Sequence, residues 1–166
     1  MVNRYDLVAL GTGAAASTVA SRCVAAGWNV AIVDTRPFGG TCALRGCDPK
    51  KVLVGVAQVT DWARRMRGKG VCYDQLQIDW KELMRFNSSF TQPVPKSREE
   101  SFKKAGIEAF YGRARFVGPH SIEIGSLVLG TGYAVIATGQ KPADLRIPGQ
   151  ELVPSNLLYR LPGSLN

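Results

Sequence analysis

Apolar and polar positions follow two different rhythms along this chain, and the changes of rhythm mark its elements. "YDLVALGTG" opens as a short aliphatic strand that ends in a glycine turn. "AAASTVASRCVAAGW" follows with helical periodicity and small residues, and stops at Gly27 in a C-cap position. "NVAIVD" is a second strand ending in an acid. Together these predict a β-α-β unit with parallel strands and a right-handed crossover. Farther on, "PKKVLVGVAQVTDWARRMRGKG" predicts a helix ending near Gly68. "DWKELMRFNSSFTQPVPKSREESFKKAG" predicts one or two more, perturbed by Pro93 and Pro95 and closed by Gly106. The rhythm then shortens. "IEAFYGRARFVGPHSIEIGSLVLGTGYAVIATG" alternates in short runs between Gly, Pro and Ser, which predicts strands and a β-meander. The tail from Gln140 carries four of the nine prolines and no core pattern, so it reads as a connector.

Length changes this picture little: 166 residues suffice for one domain with a real core and are short for two. The aliphatic stretch Leu7 to Ala26 resembles a leader, but Asp6 precedes it, Gly11 and Gly13 interrupt it and Arg22 sits within it. A strand and helix explain it better, and the expectation is a cytoplasmic protein with no membrane span. The net charge of +8 gathers at Arg64, Arg65, Arg67 and Lys69 and again at Lys96, Arg98, Lys103 and Lys104. No nucleic-acid recognition motif accompanies it, so a solvated helix face is expected and no nucleic-acid partner.

Gly11-Thr-Gly13-Ala14-Ala15-Ala16 fits the G-x-G-x-x-A fingerprint of a dinucleotide fold. Gly11 permits the tight turn, Gly13 lets backbone amides approach a pyrophosphate, and Ala16 keeps the helix close to the strand. The helix N-terminus offers unpaired N–H groups and the positive end of its dipole to the phosphates. Asp34 closes the second strand, where an acceptor for ribose hydroxyls belongs. This geometry serves FAD and NAD alike.

Cys42 and Cys47 lie five positions apart in "FGGTCALRGCDPKK". In a straight helix such residues have Cα atoms about 8.7 Å apart, whereas disulfides span roughly 4.4–6.8 Å. If the two pair, the segment is not regular helix throughout: Cys42 belongs in the glycine-led turn, Cys47 near the first helical turn, and Gly46 eases the distortion. Arg45, Lys50 and Lys51 surround the pair with positive charge and Asp48 opposes them. Two unpaired cysteines at a helix start, or oxidation-sensitive ones without catalytic use, remain alternatives. A zinc site is not expected, because Cys23, Cys72 and His120 supply no paired ligand spacing. Cys23 and Cys72 are assigned to packing, and four scattered cysteines do not make a secreted disulfide scaffold.

"GGTCALRGCDPKK" closely resembles the redox segment of the class I pyridine nucleotide-disulfide oxidoreductases, a family that includes glutathione reductase, dihydrolipoamide dehydrogenase and mercuric reductase. "YDLVALGTGAAAS", "YGRARF" and "AVIATG" extend the likeness over nearly the whole chain. The resemblance implies an α/β, Rossmann-like FAD-binding domain over residues 1–150, with a mostly parallel sheet, crossover helices and a β-meander. Residues 151–166 would lead toward an NAD(P)H-binding domain that the 166 residues do not contain. It implies FAD as cofactor, with the backbone around Gly11, Gly13, Ala14 and Ala15 at the pyrophosphate and Asp34 at the adenosine ribose. Thr41 and Cys42 would line the flavin side, and Lys50, or its neighbour Lys51, would approach the reactive end of the isoalloxazine. Ala114 would meet the adenine through its backbone, and Thr138 with Gly139 would close over the cofactor. It further implies a Cys42–Cys47 disulfide that relays electrons from NAD(P)H through FAD to a small-molecule disulfide or metal-ion substrate, Cys47 facing the flavin and Cys42 the substrate. The full-length form would be a homodimer.

Two departures bear on that reading. "ALR" replaces the family's usual small-polar insert, and Asp48 follows the second cysteine where an apolar residue is common. No second G-x-G-x-x-A follows Gly139, and the single histidine, His120, falls in a meander turn. The expectation is a portion cut at a domain boundary, with a truncated reading frame or a stand-alone small flavoprotein that needs partner chains as the other accounts. On all three the chain alone cannot run an NAD(P)H-dependent cycle, and it carries an apolar sheet edge that invites self-association. The alternative is a Rossmann-type nucleotide-binding module without redox turnover.

Overall fold

A computed structural model describes residues 3–72, 75–140, 143 and 146–149. In chain order the elements are β1 (Asn3–Leu10), α1 (Ala14–Ala25), β2 (Val30–Asp34), α2 (Gly40–Arg45), α3 (Cys47–Arg65), α4 (Trp80–Thr91), α5 (Val94–Lys104), β3 (Glu108–Tyr111), β4 (Ala114–Gly118), β5 (Ser121–Ile124) and β6 (Leu127–Ile136). They divide into two compact units. Met1–Cys42 and Val94–Asp144 form the first, Ala43–Pro93 and Leu145–Asn166 the second.

The first unit is built on a six-stranded sheet in the order β3-β2-β1-β6-β5-β4. β3, β2, β1 and β6 run parallel, while β6-β5-β4 is the antiparallel meander. The expected β-α-β opening is thus present, α1 joining parallel neighbours β1 and β2. α1 stops at the expected place, with Gly27 N–H donating to Val24 O (2.9 Å) and Trp28 N–H to Cys23 O (3.0 Å). β3, read at the sequence level as part of the shorter-rhythm region, leaves the meander and pairs with β2.

Alternation sorts the strands into two faces. Leu7, Ala9, Val30 and Ile32 pack with Ala16 and Ala20 of α1, Phe102 of α5, Phe38 and Ile107. Val8, Leu10, Ala31 and Val33 face the other way and meet Ile122, Ile124 and Leu129, so the meander covers that side. Tyr5 breaks strict alternation and joins the second face. Pairing with β2 begins just past this point, Asp6 and Leu7 both donating to Asn29 O at 2.8 and 3.3 Å. Each large side chain fully removed from water, such as Ile32 or Ile122, stabilises the fold by roughly 1.5–3 kcal/mol. Tyr5 also reaches across β2, its hydroxyl donating to Glu108 Oε2 at 2.5 Å.

In the second unit α3 packs on α4. Asp79 caps α4, its carboxylate accepting from Glu82 N–H at 2.9 Å, and Met84 is buried there. Val59 and Trp62 of α3 and Phe86 and Phe90 of α4 are exposed. Among the described residues no helix is long and apolar enough to cross a membrane. His120 sits in the β4–β5 turn with its Nδ1 3.1 Å from Thr131 O. Cys23 packs against the first core face, as expected. Cys72 does not pack; it is exposed, because the segment after α3 runs over the surface. The stretch 151–166, expected to lead toward a further domain, and the boundary at residue 150 lie outside the described residues.

Candidate functional site

The glycine turn between β1 and α1 is fixed from both sides. Gly11 has φ of +105°, and a side chain there would place its Cβ 2.3 Å from Ala137 O, so packing alone demands glycine. Ala137 N–H in turn donates to Leu10 O at 2.9 Å, which brings the end of β6 against the turn. Gly13 differs. Its φ of −72° suits any residue, and a Cβ there would meet nothing nearer than Gly40 Cα at 3.8 Å. The bare backbone at Gly13 therefore serves open space above the helix end rather than packing within the protein.

α1 leaves that space chemically receptive. Its first closing bond runs from Ser17 N–H to Gly13 O (3.0 Å), so the N–H groups of Ala14, Ala15 and Ala16 precede the hydrogen-bonded ladder. Gly13 supplies no side-chain cap, and the first turn contains no acid to compete for an anion. Ala14 and Ala15 are exposed, whereas Ala16 is fully buried against the first core face, the close helix–strand packing expected of it. These are the features of an anion cradle, and they fit a pyrophosphate.

Asp34 is aimed at the same turn. Its Oδ2 accepts from Thr12 N–H (2.9 Å) and from the Thr12 hydroxyl (2.6 Å). Its Oδ1 accepts from Arg36 N–H at 3.0 Å. A carboxylate oxygen can accept twice, so Oδ1 retains an acceptor direction that fits a ribose hydroxyl. Thr12 was not among the residues expected from the sequence. It is 1% exposed, and its hydroxyl also accepts from Gly39 N–H at 3.1 Å, tying the glycine turn to the Gly39–Cys42 segment. The signal was a hydroxyl residue between two glycines where the turn itself needs none.

Gly40 opens α2, and a Cβ there would lie 2.5 Å from Gly13 Cα. The Gly39-Gly40 pair is thus packed onto the turn, with Thr41 and Cys42 exposed on the next positions. Thr138 is next to the turn as well, its Cα 3.5 Å from where a Gly11 side chain would begin. Gly139 follows, exposed. Ala114, at the start of β4, is approached through Gly112, whose N–H donates to Asp34 O at 2.8 Å. The first unit therefore gathers Gly11, Gly13, Ala14, Ala15, Ala16, Asp34, Thr41, Cys42, Thr138 and Gly139 in segments around one turn, while Ala114 packs against the second core face.

Cys47, Lys50 and Lys51 belong to the second unit, on α3. Cys47 is the first residue of the helix and half-buried, and Lys50 N–H donates to Gly46 O at 3.0 Å. Both lysines are exposed. The expected break at Gly46 is present, with φ −129° and ψ −103° between two helices. Cys42, expected in a turn, lies inside α2, because the helix begins already at Gly40. Cys47 is a free thiol, so the Cys42–Cys47 bond is not formed in this structure. Among the described residues no group of three or more His, Cys, Asp or Glu could hold a metal ion.

The sequence pattern of the family described as "Pyridine nucleotide-disulphide oxidoreductase" matches residues 5–159. The chain is 28% identical over 158 residues to the glutathione reductase of Nostoc sp. strain PCC 7120, covering 95% of this chain and 34% of that enzyme. It is 26% identical over 148 residues to the dihydrolipoyl dehydrogenase of Mycoplasma genitalium, covering 89% and 32%. Identity to the trypanothione reductase of Trypanosoma congolense is 32% over 180 residues, covering 91% and 35%. The chain thus spans about a third of the length of these relatives.

Proposed function

We propose that this chain, which belongs to the pyridine nucleotide-disulphide oxidoreductase family, is the FAD- and dithiol-bearing portion of a flavoprotein disulfide reductase. Glutathione reductases and lipoamide dehydrogenases bind FAD and use NAD(P)H. The observation that carries the reading is the open α1 N-terminus above Gly13, flanked by an Asp34 carboxylate that Thr12 holds toward it.

In this reading the N–H groups of Ala14, Ala15 and Ala16 bind the pyrophosphate, and Asp34 Oδ1 accepts from the adenosine ribose. Ala114 lies toward the adenine, Thr138 and Gly139 toward the rest of the cofactor, with Lys50 or Lys51 near the flavin ring. Bound FAD supplies two-electron transfer between NAD(P)H and the cysteine pair. The cysteines do the exchange chemistry. The Cys42 thiolate attacks a small-molecule disulfide, forming a mixed disulfide and releasing one thiol. The Cys47 thiolate then attacks the Cys42 sulfur, forming the Cys42–Cys47 bond and releasing the second thiol. One substrate disulfide is reduced for each dithiol oxidised, so the electrons balance. Exposure of Cys42 and partial burial of Cys47 suit outer and inner roles respectively.

The test is spectroscopic. Purified protein should be yellow, and partial reduction should give a long-wavelength thiolate-to-flavin absorption that Cys47→Ser abolishes and Cys23→Ser leaves intact. Colour without that band would favour a nucleotide-binding module that does not turn over, and no flavin at all would overturn the reading.

A further inference from the structure

Tyr111 ends β3 and is 67% exposed. A lone exposed aromatic on a surface needs no explanation, but three observations single this one out. First, it is the register partner of Asp34 on the neighbouring strand. Ala109 packs with Ile32 on the first core face and Phe110 with Val33 on the second, so alternation puts Tyr111 and Asp34 on one face. Adjacent strands stand about 4.8 Å apart, which makes the two residues lateral neighbours on that face, with Asp34 Oδ2 held by Thr12. Second, the ring has a fixed backing. Phe38, itself buried, lies 6.4 Å from it centroid to centroid at 54°, and Phe102 packs edge-on against Phe38 at 6.1 Å. Third, the backbone just beyond the ring is tied to Asp34 through Gly112 N–H.

We propose that Tyr111 is a side wall of the adenine site, giving the base a flat face next to the carboxylate that holds its ribose; this rests on the flavin reading above. A nucleoside's base and its ribose hydroxyls sit on one sugar ring, so whatever flanks the hydroxyl acceptor is within reach of the base. The aromatic ring is pre-positioned by Phe38, and its exposure leaves room for a stacked partner. Asp34 fixes the sugar, and Tyr111 fixes where the base goes.

The experiment measures FAD affinity by flavin fluorescence, then displaces FAD with ADP and separately with inorganic pyrophosphate. Tyr111→Ala should weaken FAD and ADP by roughly tenfold or more, the usual loss when a base-stacking aromatic is removed, and leave displacement by pyrophosphate unchanged. Tyr111→Trp, which restores a flat ring, should return FAD and ADP to within about threefold of the parent value. Equal weakening of all three ligands, or no change in any, overturns the proposal, as does failure of Tyr111→Trp to rescue alongside an unchanged thermal midpoint. If the parent protein takes up no FAD, the flavin reading itself has failed. If it binds FAD and Tyr111→Ala binds it equally well, only the role of Tyr111 has failed.

Discussion

Every polar atom of Thr12 is engaged, and that is the feature of the site the sequence disguised. Its N–H and hydroxyl hold Asp34, the hydroxyl accepts from Gly39 N–H, and its carbonyl accepts from the Ser17 hydroxyl at 3.1 Å. The fingerprint treats that position as free, because it describes what the ligand needs and not what holds the acid in place. Thr12→Val keeps the volume but leaves buried Gly39 N–H without its acceptor, which costs about 1–3 kcal/mol. Denaturant unfolding should record that loss, Thr12→Ser should recover most of it, and Thr12→Val should also weaken FAD. Tyr5 makes a second residue-scale case. Burial foremost, then the hydrogen bond and charge of Glu108, push its hydroxyl from 10.0 up to about 12. The folded state therefore keeps the proton after the unfolded chain has lost it. The Tyr5 contribution is intact below pH 10 and declines as pH rises from about 10 toward about 12. Unfolding midpoints of the parent and Tyr5→Phe, compared across that window, should converge with rising pH; a constant gap would refute the assignment.

At the scale of elements, period was legible and pairing was not. β1, α1 and β2 follow from local alternation and a glycine stop. β3 could not be placed by pattern, since "IEAFY" looks the same whether its neighbour is β4 or β2; only the register of Ala31 with Glu108 decides. The start of α2 was misread for a related reason: Gly39 and Gly40 do turn, with φ of +132° and +71°, and Gly40 also lies against Gly13, but the chain is helical again by Thr41 and Cys42. Gly13 and Gly40 should therefore separate stability from binding. Gly40→Ala drives a Cβ to 2.5 Å from the Gly13 backbone, and overpacking of that kind costs about 1–3 kcal/mol. Gly13→Ala meets no such obstacle and sacrifices only a favourable N-cap, at most about 1 kcal/mol, yet it intrudes where the pyrophosphate approaches. Calorimetry should find Gly40→Ala markedly the less stable, while flavin titration should find Gly13→Ala the poorer binder relative to its stability. Reversed rankings would mean Gly13 serves packing.

Over the whole molecule, the open side of β6 ties the fold to behaviour in solution. β5 pairs with β6 only from Leu127 to Gly130, whereas β1 accompanies it on to Ile136. Thr131 N–H still donates to His120 O at 2.9 Å, so among the described residues positions 132–136 have no strand neighbour on the side away from β1. Tyr133 and Ile136 there are 66% and 70% exposed, and Tyr133 is stacked on Trp28 at 5.4 Å. An unpaired backbone edge flanked by large apolar side chains is a template for another strand. Two copies of the same edge, met antiparallel, would satisfy each other's N–H and C=O groups. The strand and its apolar character could be read from "YAVIATG", but not which edge stays open, since that depends on where β5 ends. The 166-residue chain should therefore self-associate with rising concentration in the micromolar range, where exposed edges become aggregation-prone. Tyr133→Lys with Ile136→Lys should return it to a monomer without abolishing the sheet, because both side chains already face water and lysine at an edge opposes strand addition by charge repulsion. Sedimentation equilibrium distinguishes the outcomes: a parent chain that stays monomeric throughout, or a double variant that associates equally, would remove β6 as the seat of association.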